Sequence, residues 1–365
     1  MRSISNAGAE SLHSVKKEKK VNHYLPTDEH ILILGRTKLQ QPLPLFWTGS
    51  GLEFTADGST LSIELSTDYA EFEQWIRMEL DGATVLRMPL PKGKSSITLY
   101  RGLNPQEKRR VRILKEVQAF SQDDEACLLI HGIELDGLLY EKPAYPRKIE
   151  VIGDSLTSGE GLQGAKHLMD WGSLVHSTEG HYVEALGEML DAEVRHISQG
   201  GWGAYISWDG KTDCAIPPIY EKVCGLLSGA KNAALGANEP YDFSEWKADA
   251  VVINLGTNDG SGLGIPCTPE KAQIFAETVK NFLHTLRRCN PEAYLLWAYG
   301  MCGIPMEAHI LSGLEAYKKE SGDTRVSYLS LTPCPDEWLG SRSHPGRKSH
   351  ALTALEVGSF LQKVL

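Results

Sequence analysis

At 365 residues the chain exceeds the ~100–200 residues usual for one domain, so two cores are expected. Its 41% apolar and 23% charged content is that of an ordinary globular protein, and a formal charge of −10 argues against nucleic acid or an anionic membrane as partner, since both demand a basic face. No run approaches the ~18 apolar residues of a membrane span.

The chain opens with polar and basic residues. SLHSVKKEKKVNHY, residues 11–24, carries charges but no apolar core or cleavage site of a secretion signal. The expected location is the cytoplasm, with secretion after removal of a signal as the alternative. Residues 1–27 read as a solvated, disordered leader. The seven cysteines are odd in number and scattered, with no CxxC pair, which fits a reducing compartment and buried thiols better than a disulfide framework.

From 28 to 140 the periodicity is two. Leu52 and Phe54 alternate with polar residues, Asp57-Gly58 turns the chain, and Leu61, Ile63 and Leu65 alternate again. Ile76, Met78 and Leu80 repeat the pattern before a tight turn at Asp81-Gly82. SSITLY, RRVRIL and ACLLIHGIEL follow. Short strands joined by turn signals predict an all-β sandwich or jelly roll. Residues 141–147, with two prolines, read as a linker.

The pattern changes in 148–365. β-rich runs at 148–153, 193–198, 250–256, 293–299 and 326–331 are separated by helical stretches. One of these, EKAQIFAETVKNFLHTLRRC, puts Phe275, Val279, Phe282, Leu283 and Leu286 on one face. Alternation of strand and helix predicts a three-layer α/β domain on a flavodoxin-like parallel five-stranded sheet.

In such sheets ligands bind beyond the carboxyl ends of the strands. After the first strand comes Gly153-Asp154-Ser155, after the second Ser198-Gln199-Gly200-Gly201-Trp202-Gly203, and after the third Gly256-Thr257-Asn258-Asp259. Ser343-His344-Pro345-Gly346 follows the last at some distance. Each fragment alone is an ordinary turn or helix cap. Together they supply what acyl transfer needs. Ser155 is a nucleophile, His344 a base suited to neutral pH, and the N–H groups of Ser155, Gly200 and the Asn258 amide are donors for an oxyanion. Asp154 is expected to fix its turn and Asp259 to brace the third block. His350 is expected to face solvent or cap the final helix. Trp202 is expected to border the crevice as a substrate-binding surface on which a sugar ring can stack. Trp297, inside a strand, is assigned to the core. The long segments 157–180 and 203–247 lie at the same sheet edge and are expected to shape substrate access. No metal or cofactor is expected, since neither HExxH nor any clustered ligand spacing occurs.

The four blocks GDSLTSG, SQGGWG, GTND and SHPG resemble those of the SGNH/GDSL hydrolases. A sandwich containing ILGRT and PLFWTGSGLEFTADG, followed by PYDFSEWKADAVVINLGTNDG, resembles carbohydrate esterase family 2 more closely. An α/β-hydrolase elbow, G-x-S-x-G, would need Gly where Thr157 stands. The resemblance implies Ser155 as nucleophile, His344 as general base, and Gly200 and Asn258 in the oxyanion hole. It also implies a serine esterase that removes O-acetyl groups from xylan- or mannan-type polysaccharides or oligosaccharides. The alternatives are a lipase, thioesterase or acyltransferase on the same scaffold, or a non-catalytic carbohydrate-binding protein. The sandwich is a candidate subunit interface, making a homo-oligomer one expectation. Two departures stand out. Ser198 replaces the usual Asn of the second block, and Ser341 occupies the position of the triad acid. Asp336 and Glu337 lie further upstream, so a Ser-His dyad with a backbone carbonyl orienting the imidazole is favoured, with Asp336 as the alternative third member.

Overall fold

The computed structural model describes residues 20–365. Its first ten strands are β1 (Asn22–Tyr24), β2 (Leu32–Leu34), β3 (Leu43–Pro44), β4 (Gly51–Ala56) and β5 (Thr60–Asp68), then β6 (Trp75–Leu80), β7 (Ala83–Pro89), β8 (Gly93–Arg101), β9 (Arg109–Lys115) and β10 (Cys127–Leu135). They form two antiparallel sheets, one ordered β1-β10-β5-β8 with β3 also on β10, the other β2-β4-β9-β6-β7. The alternating residues of the sequence face inward: Leu52, Phe54, Leu61, Ile63, Leu65, Ile76 and Met78 pack with Val111, Ile113, Ile133 and Leu135 between the sheets.

Asp81 and Gly82 join β6 to β7, with φ of 52° and 83°. Two left-handed residues are what a two-residue hairpin requires to match strand twist. Asp57-Gly58 does a different job. It carries the chain from one sheet to the other, with the Asp57 carboxylate holding the Leu138 N–H and the Tyr140 hydroxyl at 2.7 Å each.

The sandwich starts earlier than periodicity indicates. Asn22–Tyr24, inside the stretch read as leader, pairs antiparallel with β10, Asn22 opposite Leu135. Three residues are too few to show a period, and only the open edge of β10 makes them a strand. Residues 1–19 of the expected leader lie outside the described residues.

The second half contains β11 (Arg147–Gly153), β12 (Ala192–Ser198), β13 (Ala250–Asn254), β14 (Tyr294–Tyr299) and β15 (Val326–Ser330), all parallel in the order β12-β11-β13-β14-β15. The helices are α1 (Ser155–Ser158), α2 (Tyr182–Leu190), α3 (Ala230–Ala234), α4 (Thr257–Leu263), α5 (Pro269–Cys289), α6 (Glu307–Ser321) and α7 (Arg347–Leu361). α5 and α6 cover one face of the sheet, over Val251, Ile253, Leu295 and Trp297. α2 and α7 cover the other, over Ile149, Val151, Val252 and Leu296. α6 escaped the sequence reading because its core contact is a narrow row, Ile310, Leu314 and Tyr317. Among the described residues no helix is long and apolar enough to cross a membrane.

The two halves share a core. Phe46, Trp47 and Ala119 of the first half pack with the α5–α6 layer of the second. Charges are buried across the junction as well. Arg36 is fully buried and grips Glu150 of β11 through two contacts, Nε to Oε2 at 3.0 Å and Nη2 to Oε1 at 2.8 Å. Its Nη1 donates to the Tyr220 carbonyl at 2.6 Å, and the rings of Tyr220, Tyr241 and Phe243 surround it. Removing one member of a buried ion pair strands the other, at a cost of about 3–5 kcal/mol. Arg36→Met is therefore expected to destabilise the protein by about that amount in urea unfolding, with Arg36→Met/Glu150→Gln recovering part of the loss.

Candidate active site

The geometry starts from the sheet. β11 lies between β12 and β13, with Gly153 paired to Ser198 on one side and to Asn254 on the other. The chain leaves β11 for one neighbour and then crosses to the other, so a crevice opens at these carboxyl ends. Asp154-Ser155, Gln199-Gly200 and Thr257-Asn258 all start from that edge.

Gly153 has no room for a side chain, since a Cβ would sit 2.0 Å from Thr157 Oγ1. That lets α1 fold back against its own strand. Asp154 caps α1, Oδ1 accepting the Leu156 N–H at 3.0 Å, and Ser155 opens it. Ser155 is only 8% exposed, with Oγ 2.9 Å from His344 Nε2.

His344 comes from the turn before α7. Its Nδ1 lies 2.9 Å from the carbonyl oxygen of Arg342. A carbonyl only accepts, so Nδ1 carries the proton and Nε2 faces Ser155 as the acceptor. The carbonyl points at the ring because Arg342 and Ser343 are both left-handed, with φ of 59° and 55°. A residue bearing a side chain adopts this conformation at a cost of about 1–2 kcal/mol. Arg342 offsets the cost through its contacts: its N–H donates to Leu168 O at 2.8 Å, Nη1 to Met169 O at 2.8 Å, and Nε to Glu160 Oε1 at 3.0 Å.

On the opposite side Asn258 donates from Nδ2 to the Trp202 carbonyl at 2.8 Å and to Asp154 Oδ2 at 3.2 Å. The Gly200 N–H meets Gln118 Oε1 of the sandwich at 2.7 Å. A Cβ at Gly200 would press on that oxygen at 3.1 Å, so glycine keeps the approach open. Burial pushes Asp154 up to about 7, with the carboxylates of Asp259 and Glu160 adding and the Leu156 N–H opposing. Burial likewise pushes Asp259 up to about 6, against the N–H groups of Ala204, Tyr205 and Ile206 that it accepts at 2.7–3.1 Å. A serine hydroxyl bonded to an imidazole of fixed tautomer is an arrangement suited to acyl transfer.

Known proteins resemble the chain over most of its length. The model of the carbohydrate esterase 2 N-terminal family matches residues 33–142. The structure of an acetyl xylan esterase from the rumen bacterium Butyrivibrio proteoclasticus superposes with a TM-score of 0.91 at 37% identity, over 94% of this chain and 98% of that one. The chain belongs to carbohydrate esterase family 2. This esterase is a carboxylic ester hydrolase. It is also 26% identical over 348 residues to an acetylxylan esterase/glucomannan deacetylase of Cellvibrio japonicus (strain Ueda107), covering 93% of this chain and 90% of that one. A family two carbohydrate esterase from Clostridium thermocellum, solved in complex with cellohexaose, shares the fold at 23% identity, with a TM-score of 0.80 over 92% of this chain and 98% of that one.

The structure of the esterase brings Ser155 and His344 into contact and sets Gly200 and Asn258 at the same edge. Asp336 is not among the partners of the His344 ring. It starts a one-turn helix, and its carbonyl accepts from Lys166 Nζ. Ser341, at the triad-acid position, donates instead to the Gln163 carbonyl at 2.6 Å. Trp202 is half-buried against the core, and the exposed indole beside this block is Trp208, 63% accessible and close to Gly201. Asp259 braces the loop after the second block rather than its own. His350 does not face solvent: it is buried in α7, its Nδ1 accepting the Tyr182 N–H at 3.3 Å, because α7 turns that side toward α2. Trp297 lies in the core, as its place in a strand implies. Among the described residues no cluster of His, Cys, Asp and Glu is arranged to hold a metal.

Three residues at the site carry no signal in the sequence. Gln118 reaches it from the other half of the chain. Arg342 acts through its backbone. Glu160 lies within GDSLTSGEG but its partners are far away in sequence. Since the ring nitrogen that a triad acid would hold is bonded to a carbonyl, Asp336→Ala is expected to keep kcat/KM for p-nitrophenyl acetate within about threefold of the parent. A loss of ~10²-fold or more would place Asp336 back on the ring.

Proposed function

We propose that the chain removes O-acetyl groups from xylan- or mannan-type saccharides through an acetyl-enzyme on Ser155, with His344 as the base of a Ser-His dyad. The observation that carries this reading is the 2.9 Å contact of Ser155 Oγ with an imidazole whose other nitrogen is held at 2.9 Å by a carbonyl. The acyl group and the glycan class are taken from the acetyl xylan esterase and the acetylxylan esterase/glucomannan deacetylase that the chain is similar to.

In the first half-reaction His344 Nε2 takes the Ser155 proton as Oγ bonds to the acetyl carbon. The oxyanion draws on the Ser155 N–H, the Gly200 N–H and the Asn258 amide. Gly200 and Asn258 already have acceptors within the protein, so the Gln118 carboxamide has to yield Gly200 as the oxyanion forms. Collapse breaks the ester bond, and the imidazolium protonates the departing sugar oxygen. Water, deprotonated by the same imidazole, then bonds to the acetyl carbon, and as the Oγ–carbon bond breaks the imidazolium returns its proton to Ser155 Oγ and acetate leaves. The exposed Trp208 offers an apolar face for a sugar ring.

Ser155→Ala is expected to cut acetate release from acetylated xylan and mannan oligosaccharides by ~10³-fold or more while the far-UV circular dichroism stays unchanged. Near-full activity would end the reading. A parent enzyme that cleaves p-nitrophenyl octanoate faster than the acetate ester would replace it with the lipase alternative.

A further inference from the structure

An imidazole acting as base becomes positive at the tetrahedral stage. A carboxylate behind Nδ1 stabilises that charge, whereas the carbonyl found here fixes the tautomer but is neutral. The charge has to be met from another side. Glu160 meets it. Its Oε2 lies 3.7 Å from His344 Nε2, too far for a hydrogen bond yet close enough for Coulomb attraction in a site where Glu160 is only 3% exposed. The other oxygen, Oε1, holds Arg342 Nε at 3.0 Å.

We infer that Glu160 is the positioning residue that takes the place of the missing triad carboxylate, acting on His344 directly through space and indirectly through Arg342. This rests on the acetyl-transfer reading of Ser155 and His344. The two actions share one side chain because Arg342 is the residue whose carbonyl orients the ring. Its left-handed backbone is held in part by the grip on its guanidinium, so Glu160 restrains the carbonyl while offering charge to the imidazolium.

The placement of Glu160 is itself built. Its N–H donates to the Ser155 carbonyl at 3.1 Å, tying the carboxylate to the nucleophile's own turn. Gly159 and Gly161 flank it in left-handed conformations, φ 78° and 91°. A Cβ on Gly161 would lie 2.5 Å from His344 Cβ, so this glycine lets the histidine loop reach the carboxylate. Residue 160 also pairs in an isolated antiparallel bridge with His176, a fully buried imidazole. Burial pushes Glu160 up, but His344, His176 and Arg342 outweigh it and hold the carboxyl below its ordinary value. It therefore stays ionised through the cycle. The Ser155 proton moves to His344 Nε2 and on to the leaving oxygen, and Glu160 takes no proton. The charged and titratable groups facing this pair are Arg342, His176, His350 and Asp154, with Lys115 behind His176.

The test uses the full-length chain with p-nitrophenyl acetate from pH 5 to 9. Activity needs the unprotonated base and falls as pH drops. Losing a neighbouring negative charge makes protonation harder, so Glu160→Gln is expected to move the acidic limb of kcat/KM down by about 0.5–1 pH unit. The same variant is expected to lower kcat by about 10–100-fold at nearly constant KM, with partial recovery in Glu160→Asp. Arg342→Gly keeps the left-handed backbone at no steric cost but frees the carboxylate, and its limb is expected to move the opposite way, to higher pH. A Glu160→Gln enzyme with kcat within about twofold of the parent, or with lower kcat and an unmoved limb, overturns the inference. If that variant does not fold, Arg342→Gly decides alone, and an unmoved limb sinks it. Ser155→Ala separates the two readings: if it is as active as the parent, acetyl transfer at Ser155 is wrong and not merely the role of Glu160.

Discussion

The pairing of Gly153 with Ser198 on one side and Asn254 on the other is the constraint on which the site depends. Three segments of distant sequence leave the sheet from one register line, and Ser155, Gly200 and Asn258 follow within a few residues. The register is enforced by packing. Ile149 and Val151 face the α2–α7 layer while Ile152 faces the α5–α6 layer. A slip of one residue would turn each to the wrong face, so both cores hold the register and the site inherits their precision.

The sandwich takes part in this arrangement. Besides Arg36 on Glu150, the fully buried Glu116 binds Arg77 and Arg87 of its own half and accepts from Ser177 Oγ at 2.9 Å and the Thr178 N–H at 3.0 Å of the other. That contact secures the segment containing His176, the neighbour of Glu160. Lys115, whose amine burial pushes down to about 7, donates to the carbonyls of Val117 and Gln118 at 2.6 and 2.8 Å. It shapes the loop that carries Gln118 to Gly200. Polar groups this deep are stable only when partnered, so the two halves are locked in one relative placement.

The imidazole illustrates how one chemical need is divided between groups. Orientation comes from the Arg342 carbonyl, and charge from a carboxylate on the nucleophile's own turn. The left-handed backbone at 342–343 is the local strain that makes this division work, and the surrounding contacts sustain it.

Much of this was legible in the linear chain. Apolar alternation marked the sandwich strands, and the switch to strand–helix alternation marked the parallel sheet. Ser155, Gly200 and Asn258 could be named as candidates because they follow parallel strands that end at one edge, and His344 because its SHPG block resembles that of the SGNH hydrolases. Short elements such as Asn22–Tyr24 were hidden because they exist only against a partner strand. Gln118, Glu160 and the Arg342 carbonyl were hidden for a related reason. Their roles depend on through-space contacts between segments about 80 to 180 residues apart and, for Arg342, on a backbone angle that carries no signature in residue type. Periodicity and strand ends are local properties, and the sequence by itself determined them. Which oxygen meets each nitrogen of His344 was decided only by the tertiary structure, because the chain's return to the site sets that distance.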